Sequence, residues 1–396
     1  METLKIEQIA LIILIGTIVA IIARRFKVPY TVGLVLAGIF ITVLPLELEI
    51  NFSKDLLFKV LLPPLIFEAA LYIRWRELRN DLLPIITYAT VGVLLSAGVT
   101  AFLMHYTVGW TWQAAILFGV LIAATDPVSV IATFKEAKVE GRLRLLVEAE
   151  SLFNDSTAAV VFTLALTFAL GETLGFGSST WMMFLSVIGG IVSGLLVGGL
   201  ALLIIGKTQD DLVELSMTTL AAFGSFWLAE HFHLSGILAT TTAGLLVGNI
   251  AAFGVITEKG EESIAHFWDF AAFIVNSVIF IILGINVAYQ DFGKAIVPIV
   301  VSIIAVLIGR AIAVYPCSAL FARSSLKIDA KHQHILFWGG LRGALALALA
   351  LGIPDNLPYR QEILIVTFGV VAFSVFVQGL TITPLLRRLK QIPSGK

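Results

Sequence analysis

A chain of 396 residues that is 58% apolar and only 13% charged, with a mean hydropathy of +0.98, is not a water-soluble domain, whose apolar share is about 45–50% and charged share about 25%. Its 26 Lys and Arg balance 27 Asp and Glu to a net charge of -1, which offers nucleic acid no basic surface and makes the placement of charges more informative than their sum. The lone Cys317 excludes an intrachain disulfide and a cysteine-based metal cluster.

From Met1 the chain enters an apolar stretch of about 18 residues that ends at Arg24 and Arg25 without a small-residue cleavage site, which reads as a first membrane span and not a removable signal peptide. A bilayer core of about 30 Å asks for about 20 apolar residues per helix. The polar punctuation then predicts thirteen such helices, over 6–24, 29–46, 55–73, 82–106, 112–134, 145–170, 181–206, 211–230, 235–252, 264–289, 295–321, 333–352 and 361–386. Basic residues concentrate on the cytoplasmic side of membrane proteins. With the N-terminus outside and the C-terminus inside, nineteen of the 26 Lys and Arg fall in inner segments and four in outer ones, an asymmetry that a missed helix would scramble. If the seventh helix is a connector, the flanking halves of six start on opposite sides, as in an inverted repeat.

The fifth helix of each half is interrupted. In the first half it carries Thr125-Asp126-Pro127, where Pro127 has no N–H and leaves the Ala123 carbonyl without its helical partner. In the second it carries Gly339-Gly340-Leu341-Arg342-Gly343. Paired interruptions of this kind point to a binding site at mid-membrane, where bare backbone groups must be satisfied and a cation is one way to do so. The expected fold is therefore an all-α polytopic membrane protein, with thirteen transmembrane helices, an inverted repeat of two six-helix halves, and interrupted helices crossing at mid-membrane.

A charge at the bilayer centre costs about 2.5–3.5 kcal/mol on insertion scales, so Glu68, Asp126, Glu150, Asp155, Arg310 and Arg342 each need a partner or a function. On the sixth helix, Ser151, Asn154 and Asp155 share one face at spacings of three and four, with Glu150 on the adjoining flank. That face offers a hydroxyl, an amide oxygen and a carboxylate, the oxygen ligands of a hard monovalent cation, and Asp126 with the loosened backbone near Thr125 supplies the opposite side. A proton and a cation then compete for the same oxygens. Glu150 and Arg342 are expected to form a structural ion pair, which leaves Asp126 and Asp155 for the ion. Arg310 reads as a structural partner to carbonyls or a carboxylate, and Lys59 as snorkelling outward. Glu68 is open between ligand or gate and a polar packing contact. The six histidines lie at loop edges or span ends, so no histidine metal site is expected, and the glycines at 189, 190, 194, 198 and 199 read as close helix packing.

These motifs resemble those of the cation/proton antiporters of the CPA1 branch, the NhaP-type sodium/proton antiporters among them. The resemblance runs over nearly the whole chain. It rests on Leu62-Pro63-Pro64-Leu65-Ile66-Phe67-Glu68-Ala69-Ala70, Ala124-Thr125-Asp126-Pro127-Val128, Glu150-Ser151-Leu152-Phe153-Asn154-Asp155, Phe267-Trp268-Asp269-Phe270 with Asn276, and Gly339-Gly340-Leu341-Arg342-Gly343-Ala344. It implies a homodimer in the bilayer, with an interface part over approximately 1–81 and 181–289 and a moving core part over approximately 82–170 and 295–390. It further implies Asp155 as the main ion and proton carrier, with Asp126, Ser151, Thr125 and Glu68 coordinating the transported sodium directly or through water, and Glu150 paired with Arg342. The Asn154-Asp155 pair, in place of two aspartates, resembles the electroneutral branch.

The implied function is electroneutral exchange of sodium, or lithium, for protons by alternating access across a prokaryotic inner membrane, serving pH and sodium homeostasis. No cofactor and no nucleic-acid partner are expected beyond the transported Na+ and H+. A potassium/proton antiporter is the alternative within the class. A cation channel and an intramembrane aspartyl protease, whose two buried carboxylates would activate water, are the alternatives outside it. The chain stops ten residues after the last predicted helix, so regulation through a long cytoplasmic tail is not expected within it.

Overall fold

The computed structural model describes residues 6–26, 28–43, 54–126, 128–137, 139, 141–171, 175–208, 210–250 and 254–392. Pro127, whose effect on the fifth helix was anticipated, lies outside them, as do Lys5, Lys27, Lys138 and Lys396. The described chain is helical throughout: α1 (Ile6–Phe26), α2 (Tyr30–Ile41), α3 (54–71), α4 (Trp75–Val108), α5 (Trp112–Leu121), α6 (Val128–Ala137), α7 (Arg142–Ala169), α8 (Phe176–Ile205), α9 (Asp211–His231), α10 (Gly236–Ile250), α11 (Glu258–Tyr289), α12 (Ile296–Leu320), α13 (Ala330–Gly339), α14 (Ala344–Leu351) and α15 (Arg360–Arg388). Helices are the element a bilayer favours, because each satisfies its own backbone groups. Among the described residues seven helices are long and apolar enough to cross a membrane, or eight if α13 and α14, bent by 40° at their junction, count as one span. Every one of the thirteen predicted segments overlaps a helix or a broken pair.

Proline explains one local departure. Pro63 has no N–H for the Lys59 carbonyl, and α3 widens into a π-helical turn at Leu57–Leu61 immediately before it. The freed Lys59 carbonyl accepts from the indole N–H of Trp227 on α9 at 3.3 Å.

The helices pack in two groups. One holds α1 to α3 with α8 to α11; the other holds α4 to α7 with α12 to α15. Close approach in the first depends on glycine. A Cβ on Gly194 of α8 would meet the Ala239 carbonyl and the Thr242 side chain of α10, and one on Gly38 of α2 would meet the Ile281 carbonyl and Gly284 of α11. Gly199, on the same helix as Gly194, faces open space. Gly194→Ala is therefore expected to lower thermal stability in detergent by about 1–3 kcal/mol through overpacking, while Gly199→Ala is neutral or slightly stabilising; equal effects would show that this contact does not set the α8–α10 spacing. In the second group Arg142, opening α7, donates to both Asp81 oxygens of α4 at 2.7–3.1 Å and to the carbonyls of Leu326 and Lys327 at 2.9 and 2.7 Å. One guanidinium thus ties α4, α7 and the connection between α12 and α13.

Candidate functional site

The two interrupted segments meet. α5 ends at Leu121 and α6 begins at Val128, while α13 ends at Gly339 and α14 begins at Ala344. Between these breaks the Asp126 N–H donates to the Leu341 carbonyl at 2.8 Å. The Asp126 carboxylate accepts from Val128 N–H at 3.0 Å and Ala344 N–H at 3.4 Å, the first residues of α6 and α14. It therefore faces the positive ends of two half-helices, an arrangement that favours negative charge. The approach is tight enough that a Cβ at Gly343 would overlap the Asp126 carboxylate. Gly343→Ala is expected to displace Asp126 and cut the activity of the site about tenfold or more with the protein still folded; a Gly343→Ala protein with wild-type activity would show that the position of Asp126 is not critical.

Across from this crossing, α7 supplies the other wall. Ser151 Oγ donates to the Thr125 carbonyl and accepts from Thr125 Oγ1 at 3.3 Å, so the backbone loosened after α5 is held by a hydroxyl of α7. One turn on, Asp155 carries an Oδ1 that is buried and has no hydrogen-bond partner. Glu68, Thr125, Asp126, Ser151 and Asp155 all line one cavity of about 750 Å³. The same cavity takes in Asp269 and Asn276 of α11, whose motif was noted in the sequence without a role, and Tyr30 and Glu148, which were not singled out. Glu148 is paired with Arg144 at 2.7 Å one turn earlier on α7. Asn154 is not among the lining residues; its amide donates to Glu150 Oε1 at 3.2 Å. Among the described residues no group of three His, Cys, Asp or Glu side chains is placed to hold a metal ion.

Glu150 is not paired with Arg342. Its two oxygens accept from Nη1 and Nη2 of Arg310 at 2.8 and 2.9 Å, a bidentate bridge between α7 and α12 with both side chains buried. The same guanidinium donates to the Leu336 carbonyl at 2.8 and 3.2 Å, and Gln378 of α15 donates to the Trp338 carbonyl at 3.2 Å. These donors satisfy carbonyls at the C-terminal end of the broken helix α13, which have no helical partner of their own. Arg342 sits in the break itself and turns back to donate to its own Gly340 carbonyl at 2.7 Å. Mid-span arginines in α12 and in the break were equally able to meet Glu150 by sequence position. The sequence signal favouring Arg310 is its place on a continuous helix, which projects a long side chain sideways to a neighbour.

A family model described as "Sodium/hydrogen exchanger, transmembrane" matches residues 10–388. The chain belongs to the sodium/hydrogen exchanger family. Its relatives there include the Na(+)/H(+) antiporter ApNhaP of Aphanothece halophytica, 37% identical over 92% of this chain and 70% of that protein. The low-affinity Na(+)/H(+) antiporter NhaS1 of Synechocystis is 35% identical over 98% and 75% of the two chains, and the antiporter NhaH of Halobacillus aidingensis is 33% identical over 96% and 97%. The fold is similar to that of the sodium proton antiporter MjNhaP1 from Methanocaldococcus jannaschii, with a TM-score of 0.78 and 20% identity over 97% of this chain and 98% of that one. As a member of the sodium/hydrogen exchanger family the chain is a multi-pass membrane transporter and not an enzyme, which removes the aspartyl protease alternative.

Proposed function

We propose that this protein is a sodium/proton antiporter in which Asp155 carries either ion, and in which Asp126, Ser151, Thr125 and Glu68 supply further oxygens. The observation that carries this reading is the uncommitted Asp155 Oδ1 beside a cavity that Asp126 and Ser151 also line, where two broken helices cross. The thirteen helical segments then act as thirteen spans of an inverted repeat, with the N-terminus outside. The cavity reaches Ala23 and Val28, which flank the basic end of α1, and Glu148, one turn from Arg144 at the start of α7, so in this topology it opens to the cytoplasm. The packing group of α4 to α7 with α12 to α15 is the moving core, and the group holding α8, whose outer face exposes Trp181, Phe184, Leu185 and Leu196, is the part that pairs in a homodimer. Exchange is one for one and electroneutral, with sodium as substrate and lithium as its smaller analogue.

Purified protein in liposomes with a trapped pH dye tests this. Sodium added to proton-loaded vesicles is expected to collapse the pH gradient in a saturable way, with weaker apparent affinity as pH falls, because the proton occupies the same carboxylate. A response confined to potassium would make this a potassium/proton antiporter. No response to any alkali cation would remove the antiport reading.

A further inference from the structure

Three buried side-chain atoms at the crossing have no hydrogen-bond partner: Asn154 Oδ1, Asp155 Oδ1 and Arg342 Nε; of the two acceptors only Asp155 carries a charge. Arg342 is 1% exposed, and its one hydrogen bond among the described residues goes to the Gly340 carbonyl two positions back. A guanidinium carries five N–H donors and a charge that does not leave it, so burying one beside a single neutral acceptor leaves most of its capacity unspent. The other buried arginine differs in that respect. Arg310 meets both oxygens of Glu150 and the Leu336 carbonyl, and Glu150 takes a further donor from Asn154. Glu150 is therefore already committed, although the charges of Arg310, Glu150 and Asp155 all act on Arg342. Asp126 lines the same cavity as Asp155 and is held by two helix N-termini.

We propose, resting on the antiport reading, that Arg342 is an internal counter-charge that competes with the transported cation for Asp155. Arg342 lies in the break between α13 and α14, where residues 340–343 are not helical and the backbone is pinned by bonds from Asp126 N–H to the Leu341 carbonyl and from Leu347 N–H to the Gly343 carbonyl, so it is the long side chain and not the backbone that moves. When Asp155 holds neither ion, its charge is partly balanced by the guanidinium; when sodium or a proton binds, Arg342 falls back on the Gly340 carbonyl. The consequence is a specificity of strength. Arg342 weakens the hold of Asp155 on both cations equally, which lets either leave.

Arg342→Gln keeps a donor for Gly340 and removes the charge. Half-saturating sodium at alkaline pH, where proton competition is least, is expected to fall about tenfold in this variant. The alkaline limb of the activity profile is expected to move up by about one pH unit, tenfold in proton affinity. Arg342→Lys, which keeps a charge, should retain a profile near that of wild type. If Arg342→Gln loses thermal stability while its sodium half-saturation and pH profile stay at wild-type values, the arginine is a packing residue and the proposal is wrong.

A second measurement needs no transport. In a detergent unfolding series, Asp155→Asn strands Arg342, so adding Arg342→Gln to Asp155→Asn should cost less stability than adding it to wild type. Additive losses would overturn the proposal. Wild-type vesicles that show no sodium-driven proton flux would instead overturn the antiport reading, whereas this unfolding cycle would still report on the arginine.

Discussion

Asp155→Asn is expected to abolish sodium-dependent proton flux while leaving a folded protein. The substitution keeps the volume of the side chain and one oxygen, so packing of α7 against the crossing survives. It removes the ability to take up a proton, and it removes the charge that offsets the dehydration of a cation. An amide oxygen alone does not repay that dehydration in a site shared with Ser151 and Thr125, whose groups already bond to each other. Moving one carboxylate with either one proton or one sodium leaves the carrier with the same charge in both directions, so the wild-type flux should be indifferent to voltage. Liposomes clamped with potassium and valinomycin at zero and at about -100 mV test this, since each uncompensated charge is then worth about 2.3 kcal/mol. A several-fold change in flux between the two potentials would exclude electroneutral exchange. Substantial flux in Asp155→Asn would remove that residue from the carrier role.

Much of this arrangement was legible in the sequence because membrane physics writes it in plain residues. Interior charges are costly, so Glu68, Asp126, Glu150, Asp155, Arg310 and Arg342 stood out against an apolar background, and helical spacing placed Ser151 and Asp155 on one face. The breaks at Thr125-Asp126 and Gly339–Gly343 were visible because proline and glycine have no disguise in a span. The pairings were not legible in the same way. Two arginines and one flanking glutamate allow two bridges, and the choice depends on how α12 lies against α7, which is a tertiary fact. The double helix-cap role of Asp126 was also hidden, since Ala344 is 218 residues away in sequence. Tyr30 and Glu148 reach the cavity only because α1, α2 and the start of α7 border it, and nothing in their local sequence marks them.

The largest stability effect is expected at the Glu150–Arg310 bridge. Both side chains are buried, with 3% and 6% of the side chain exposed, so neither charge has water to fall back on when its partner is removed. Glu150→Ala leaves the Arg310 guanidinium with the Leu336 carbonyl alone, and a stranded buried charge of this kind costs about 3–5 kcal/mol. Arg310→Ala strands the carboxylate and also unties the C-terminal end of α13, so its loss should be at least as large. The coupling decides between the two bridges that the sequence allowed. Replacing both partners by apolar residues of similar volume, Glu150→Leu with Arg310→Met, removes both desolvation penalties and should recover much of the loss, leaving the Leu336 carbonyl and the Asn154 amide unmet. Glu150→Leu with Arg342→Met should recover far less, because Arg310 stays charged and unpaired. Thermal unfolding of the two double variants in the same detergent reads this directly: recovery with Arg342→Met and none with Arg310→Met would mean that the bridge seen between α7 and α12 is not the one that holds the core together.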